Sequence, residues 1–259
     1  MLTGAGLTLF STFFFPFFSL GDVGVSLEGD CITLLSQYLQ GSMTLVSLDI
    51  SGCGIAPHCE VLFGALKCNN HLRHLTIVGN EIDDSAARFI GDFLMSNASL
   101  LSLNLNSKVI TVFWVFPSPA HPSPPNPVSE NNIGNKGSQA ISFALMQNDS
   151  LKSLSLIENN ITDQGIHYLV DSLLRNFSIH SLAFGGVHHF FLPTLSKLGK
   201  PTHVDYFPLD EGIGKEGIFE VARLIEGSSC ILSLHIESRI FFSSFPFFVI
   251  MEFNLFPSP

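Results

Sequence analysis

Charge is scarce in this chain. Only 13% of its 259 residues are charged, and the basic ones are the scarcer, 12 Lys and Arg against 22 Asp and Glu, for a formal net charge of −10. A surface that holds nucleic-acid phosphates needs the opposite balance, so no nucleic-acid partner is expected. Tryptophan occurs once and tyrosine three times, so the side chains that anchor most protein interfaces are few. The five cysteines, Cys31, Cys53, Cys59, Cys68 and Cys230, form no C-x-x-C pair and are odd in number. That speaks against a zinc site or a complete disulfide framework and for a reducing compartment. No unbroken apolar run approaches the ~20 residues of a membrane span, and no membrane association is expected. A Gly-rich phosphate loop, a G-x-S-x-G elbow and an H-E-x-x-H pair are all missing. His188, His189 and His203 have no carboxylate or cysteine at ligand spacing, so neither metal nor other cofactor is expected. Nothing pairs a nucleophile with a base, and the chain is read as no enzyme.

What is present is a repeat. LVSLDISGCGI (Leu45 to Ile55), LRHLTIVGNEI (Leu72 to Ile82) and LKSLSLIENNI (Leu151 to Ile161) all read L-x-x-L-x-L-x-x-(N/C)-x-I. The L-x-L core alternates as a short strand does. Helix-like stretches follow, SAARFIGDFLMSNAS after Asp84 and QGIHYLVDSLLRNFS after Asp163, with Ala86, Phe89, Ile90, Phe93 and Leu94 at helical spacing. A strand–turn–helix unit of this kind cannot hide its apolar face alone, so copies must stack. The expected fold is α/β: a horseshoe solenoid of about six to seven repeats, parallel strands on the concave face and helices on the convex face. Asn80, Asn131 and Asn159 stand where the chain leaves the strand, and Cys53 takes that place in an earlier copy. A short amide there can satisfy backbone groups of its own turn and the next, while a thiol is the weaker partner.

These residues resemble the ribonuclease-inhibitor class of leucine-rich repeats, whose strand motif is followed by xxxG-(small)-xxL-(small)-xxL. Gly165 and Gly217 match its glycine, and Ser85 and Cys59, or the neighbours of Cys59, are read as departures. The resemblance implies a non-enzymatic scaffold that binds another protein, as in the sensing part of NOD-like receptors. It leaves open a GTPase activator similar to the Ran regulator, and a secreted recognition protein.

Repeat starts fall at Leu45, Leu72, Leu100, Leu151, Ile179 and Ile231. Two of the separations are too long, and each returns to 28 residues when 108–130 or 187–210 is removed. The pattern also stops after Ser238 and is missing before Val25. The chain therefore divides into an apolar leader, 1–24, a repeat domain, 25–238, interrupted at 108–130 and 187–210, and an apolar tail, 239–259. These four non-repeat segments hold 18 of the 25 Phe and 13 of the 14 Pro. Three readings compete for them: tolerated loops, since each doubling of a loop costs only about 0.6 kcal/mol; binding loops, with the proline run at 117–127 a ligand for a peptide-recognition module; and translated introns. Pyrimidine-rich DNA encodes Phe, Ser, Leu and Pro. An intron opening GT within a codon requires Cys, Arg, Ser or Gly there, and Ser107, Gly186 and Ser238 comply. The closing pairs Val23–Gly24, Ser129–Glu130 and Leu209–Asp210 all permit AG across the codon boundary. The intron reading is preferred, with the chain a fragment of a larger intracellular protein, cytoplasmic unless LTLFSTFFFPFFSL is a genuine signal peptide.

Asn97-Ala-Ser99, Asn148-Asp-Ser150 and Asn176-Phe-Ser178 match the glycosylation sequon, but all three end a repeat, so the repeat consensus explains their recurrence. On the strands, residues flanking the leucines point away from the core. Candidate binding residues there are Asp49, His74, Thr76, Asn104, Asn106, Ser155, His235 and Glu237. Acids concentrate on the helices, at Asp83, Asp84, Asp92, Asp171, Glu220 and Glu226, so an electrostatically steered partner would be basic.

Overall fold

A computed structural model describes residues 16–21, 26–27, 29–107, 131–185, 215–231, 233–242 and 245–254. Eight strands form one sheet in sequence order: β1 (Phe17–Ser19), β2 (Ser47–Asp49), β3 (His74–Thr76), β4 (Ser102–Asn104), β5 (Ser153–Ile157), β6 (Ser181–Gly185), β7 (Ser233–Phe242) and β8 (Phe245–Asn254). β1 to β7 pair parallel, and β8 turns back antiparallel on β7. Six helices are described between them: α1 (Asp30–Gly41), α2 (Cys59–Leu66, entered through a 3-10 turn at Ala56–His58), α3 (Asp84–Ser96), α4 (Asn135–Leu145), α5 (Asp163–Leu173) and α6 (Lys215–Gly227).

The leucine row fixes the register. Leu48, Leu75, Leu103, Leu154, Leu182 and Leu234 are partners across successive strands, and each is at most 1% exposed. A second row, Ile50, Ile77, Leu105 and Leu156, is buried beside it, and so is the helix stripe Ile90, Phe93 and Leu94 on α3. Phe63 of α2 and Phe93 of α3 pack with ring centroids 5.5 Å apart. Strands stack about 4.8 Å apart and helices 8–10 Å apart. A repeat that contributes one of each must therefore curve, with the sheet on the inside. The solenoid expected from the repeat is the fold observed.

The sheet extends past the 25–238 repeat span on both sides. Phe17–Ser19 lies parallel to β2 with Phe18 opposite Leu48, and Leu20 and Leu27 join the core. Three residues with one core-facing side chain are too short to register as a pattern. At the other end β7 runs on to Phe242. β8 then covers its outer edge, pairing Phe245 with Phe242 and Asn254 with Ser233. The segments 108–130 and 187–210, with His188, His189 and His203, lie outside the described residues. Among the described residues no helix is long and apolar enough to cross a membrane, and no cluster of His, Cys, Asp and Glu could hold a metal ion.

Candidate functional site

Two rows of side chains line the open face of the sheet. The register places Ser47, His74, Ser102, Ser153 and Ser181 in one, and Asp49, Thr76, Asn104, Ser155 and Ala183 in the next, with Ser233 and His235 of β7 at the following backbone positions. The structure separates the candidate binding residues among them. Asp49 is committed to the fold: its Oδ1 accepts from the Ser51 N–H at 3.0 Å and the Ser51 hydroxyl at 2.7 Å, and its Oδ2 accepts from Ser19 at 3.3 Å. Asn106 Oδ1 accepts from the Ser155 hydroxyl at 2.6 Å and the Ile157 N–H at 2.8 Å, which ties β5 to the preceding repeat and occupies both residues. Asn104 accepts from the Asn106 N–H at 3.1 Å. His74 is exposed and Thr76 half-buried, and neither side chain hydrogen-bonds within the described residues. His235 lies opposite Ala183 on β7, and Glu237 opposite Ile250 of β8. On the open face, His74 and Thr76 are thus without a hydrogen bond among the described residues, and Asn104 bonds only the Asn106 N–H.

Behind this face the repeats are riveted by three sets of polar side chains. The first runs along the strand exits. Asn80 Oδ1 accepts from the Cys53 N–H at 2.9 Å, while its Nδ2 donates to Ile50 O at 3.0 Å. Asn131 repeats this, accepting from the Asn80 N–H at 2.8 Å and donating to Ile77 O and Leu105 O, each at 3.0 Å. Asn159 accepts from the Ile133 N–H at 3.0 Å and donates to Leu105 O at 2.9 Å. Among the described residues, the Cys53 thiol reaches only Ser51 O, at 3.5 Å, within its own turn. Burial, reinforced by the nearby Asp49 charge, pushes that thiol up to about 11. Burial and then Asp83 push Cys59 up to about 12. Both stay protonated at neutral pH and are no nucleophiles.

The second set lies at the helix exits and had no counterpart in the sequence reading beyond the sequons. Asn97 Nδ2 donates to Asn69 O at 2.8 Å, Asn148 Nδ2 to Leu94 O at 2.8 Å and Asn97 O at 3.0 Å, and Asn176 Nδ2 to Leu145 O at 2.7 Å and Asn148 O at 2.8 Å. Each carbonyl accepts from two backbone N–H groups two and three residues on. Recurrence of N-x-S at one place in the repeat was its signal. In the third set, the second residue of one helical entry caps the next helix. Asp84 Oδ1 accepts from the Gly134 and Gly137 N–H groups, each at 2.7 Å, and Asn135 Oδ1 from Thr162 and Gly165, each at 3.0 Å. A Cβ on Gly137 would sit 2.8 Å from Asp84 Oδ1, which explains the motif's glycine. The residue at that place in α3 is Ala86, bonded to its own N-cap Asp83 at 2.8 Å, rather than Ser85.

The acids of the helix face are also partly spent. Asp83 and Asp84 are caps. Asp171 and Glu220 share Arg223, at 2.8 Å from Glu220, and His167 bridges to Glu220 at 3.0 Å. Asp92 and Glu226 remain exposed.

A family described as Leucine Rich repeat matches residues 41–57, 68–91 and 147–170. No curated protein matches the chain in sequence. Among solved structures, the chain is similar to the actin-binding site 2 of leiomodin-1, with 18% identity over 74% of this chain and 85% of that one, at a TM-score of 0.49. It is also similar to the C-terminal domain of tropomodulin from Caenorhabditis elegans, with 12% identity over 75% of this chain and 91% of that one, at a TM-score of 0.48. The matched segments and the single leucine row that joins them to their neighbours make this a solenoid of leucine-rich repeats.

Proposed function

We propose that this chain is a non-enzymatic scaffold that binds another protein on the open face of its sheet, as part of a larger intracellular protein. The observation that carries the reading is the face itself. Parallel repeat strands present two rows of small polar side chains, and His74, Thr76 and Asn104 stand at its centre while their neighbours are absorbed into the fold. Curved sheet faces of this kind are what repeat solenoids use for binding. With no aromatic or arginine anchor in these rows the affinity rests on polar complementarity, and modest binding is expected. A partner that also reached the helix face would meet Asp92 and Glu226, and would be basic.

The intracellular placement is supported by five free thiols and by the sequon asparagines, whose amide nitrogens are buried and engaged. The test is affinity isolation with the whole chain as bait, repeated with His74→Glu, Thr76→Arg and Asn104→Arg combined, and with Asp92→Arg. A partner held by the wild-type chain should be lost from the triple variant and kept by Asp92→Arg. Retention by a triple variant that melts at the wild-type temperature refutes an open-face site.

A further inference from the structure

Ser107 and Asn131 stand at two adjoining rungs of the solenoid. The Ser107 N–H donates to Ile157 O at 2.9 Å. The same bond recurs in the other repeats, from Gly52 to Val78 O at 2.9 Å, from Gly79 to Asn106 O at 3.1 Å and from Glu158 to Gly185 O at 2.8 Å. Asn131 fills the strand-exit place, accepting from Asn80 and Ile82 N–H groups at 2.8 and 3.1 Å, as Asn80 accepts from Cys53 and Ile55 at 2.9 and 3.4 Å. Ile133 is then buried where Ile82 and Ile161 are buried in their own repeats. In three other repeats these two places belong to sequence neighbours, Gly52–Cys53, Gly79–Asn80 and Glu158–Asn159. One peptide bond joins them, over about 3.8 Å.

We infer that residues 108–130 are an insertion the solenoid does not need, and that a direct Ser107–Asn131 bond completes the repeat. The hydrogen bonds given above on either side of the junction join described residues outside the insertion, so removing it leaves the asparagine rungs and the open face around Asn104 in place. One local change accompanies closure. At the place of Ser107 the neighbouring repeats are left-handed, with φ of 66° at Gly52, 60° at Gly79 and 61° at Glu158, and Ser107 is not among the positive-φ residues. Joining the chain drives Ser107 into that region, which an L side chain resists and glycine does not.

The experiment compares urea unfolding, followed at 222 nm, of the whole chain, of a variant lacking 108–130, and of one lacking 112–134. The last removes the same length but takes Asn131 and Ile133 with it. The expected result is one cooperative transition for the 108–130 deletion, at a midpoint no lower than that of the whole chain, and a lower midpoint for the 112–134 deletion. Ser107→Gly should raise the midpoint in the 108–130 deletion and leave the whole chain unchanged. A lower midpoint for the 108–130 deletion, equal behaviour of the two deletions, or an equal effect of Ser107→Gly in both backgrounds would each overturn the inference.

Discussion

Replacing Asn148 by alanine is the most direct trial of the riveted solenoid. The side chain is 6% exposed, so water has little access to replace what is removed. Its Nδ2 donates to Leu94 O and Asn97 O, and its Oδ1 accepts from the Ser150 and Leu151 N–H groups at 3.1 and 2.8 Å. Alanine strands those backbone groups inside the protein. At about 1 kcal/mol for each of the four, the loss is roughly 4 kcal/mol. That is a large share of the 5–15 kcal/mol typical of a whole domain. With a urea dependence of about 2 kcal/mol per molar, the midpoint should fall by roughly 2 M. Asn148→Asp keeps the shape and the acceptor but turns a charged oxygen toward two carbonyls, so it should be at least as damaging at neutral pH. The control is Asn132→Ala, at an exposed site, which should change stability by less than about 0.5 kcal/mol. The assay is equilibrium unfolding by circular dichroism. A loss below about 1 kcal/mol for Asn148→Ala, or one no larger than that of Asn132→Ala, would refute the view that these asparagines hold the repeats together.

The cysteines should divide by environment. Thiol labelling at pH 8 should reach exposed Cys68 first, and Cys53 and Cys59 only on unfolding. The folded state keeps those two protons that the unfolded chain gives up above its value of 9.0, so their contribution is whole below pH 9 and is lost as pH rises toward 11 and 12; thermal melts across pH 8–11 should fall less steeply in a Cys53→Ser, Cys59→Ala variant. Gly165→Ala places a Cβ 2.6 Å from Ile161 Cγ2 and 2.7 Å from Asn135 Oδ1, and should cost about 2 kcal/mol. Gly64→Ala, in an open position of α2, should stabilise by about 0.5–1 kcal/mol, and denaturation of the pair should show opposite signs.

The leucine row and the strand-exit asparagines were legible because they recur at one period and perform one task in every copy. Residues with two possible tasks were harder to read. Asp49, Asn106 and Ser155 look like recognition groups in a sequence, since an outward polar side chain gives no sign of whether it will bond a partner or its own next turn. The structure gives them to the turns. Asn97, Asn148 and Asn176 carry the opposite ambiguity: a local tripeptide suggests modification, and only contacts across 28 to 54 residues reveal a rivet. Asp84 and Asn135 reach forward into the following helix, a relation that no periodicity within one repeat displays. β1 and the β7–β8 hairpin escaped for a simpler reason. Phe17–Ser19 is too short to alternate, and antiparallel pairing over Phe245–Asn254 obeys none of the spacing that marks the parallel strands.

Cys53 gives the stack a preferred direction of failure. Every later joint described at the strand exits carries an amide that clasps the turn before it, whereas the sulfur at this one folds back on Ser51, so the amino-terminal repeat keeps there the Leu27 to Cys53 backbone bond but no amide clasp. Solenoids open between neighbouring units, at whichever joint is least fastened. Peeled by force or by a protease from its amino side, the stack parts first between α1 and α2, and amide hydrogens of β1 and α1 exchange before those of β3 to β6.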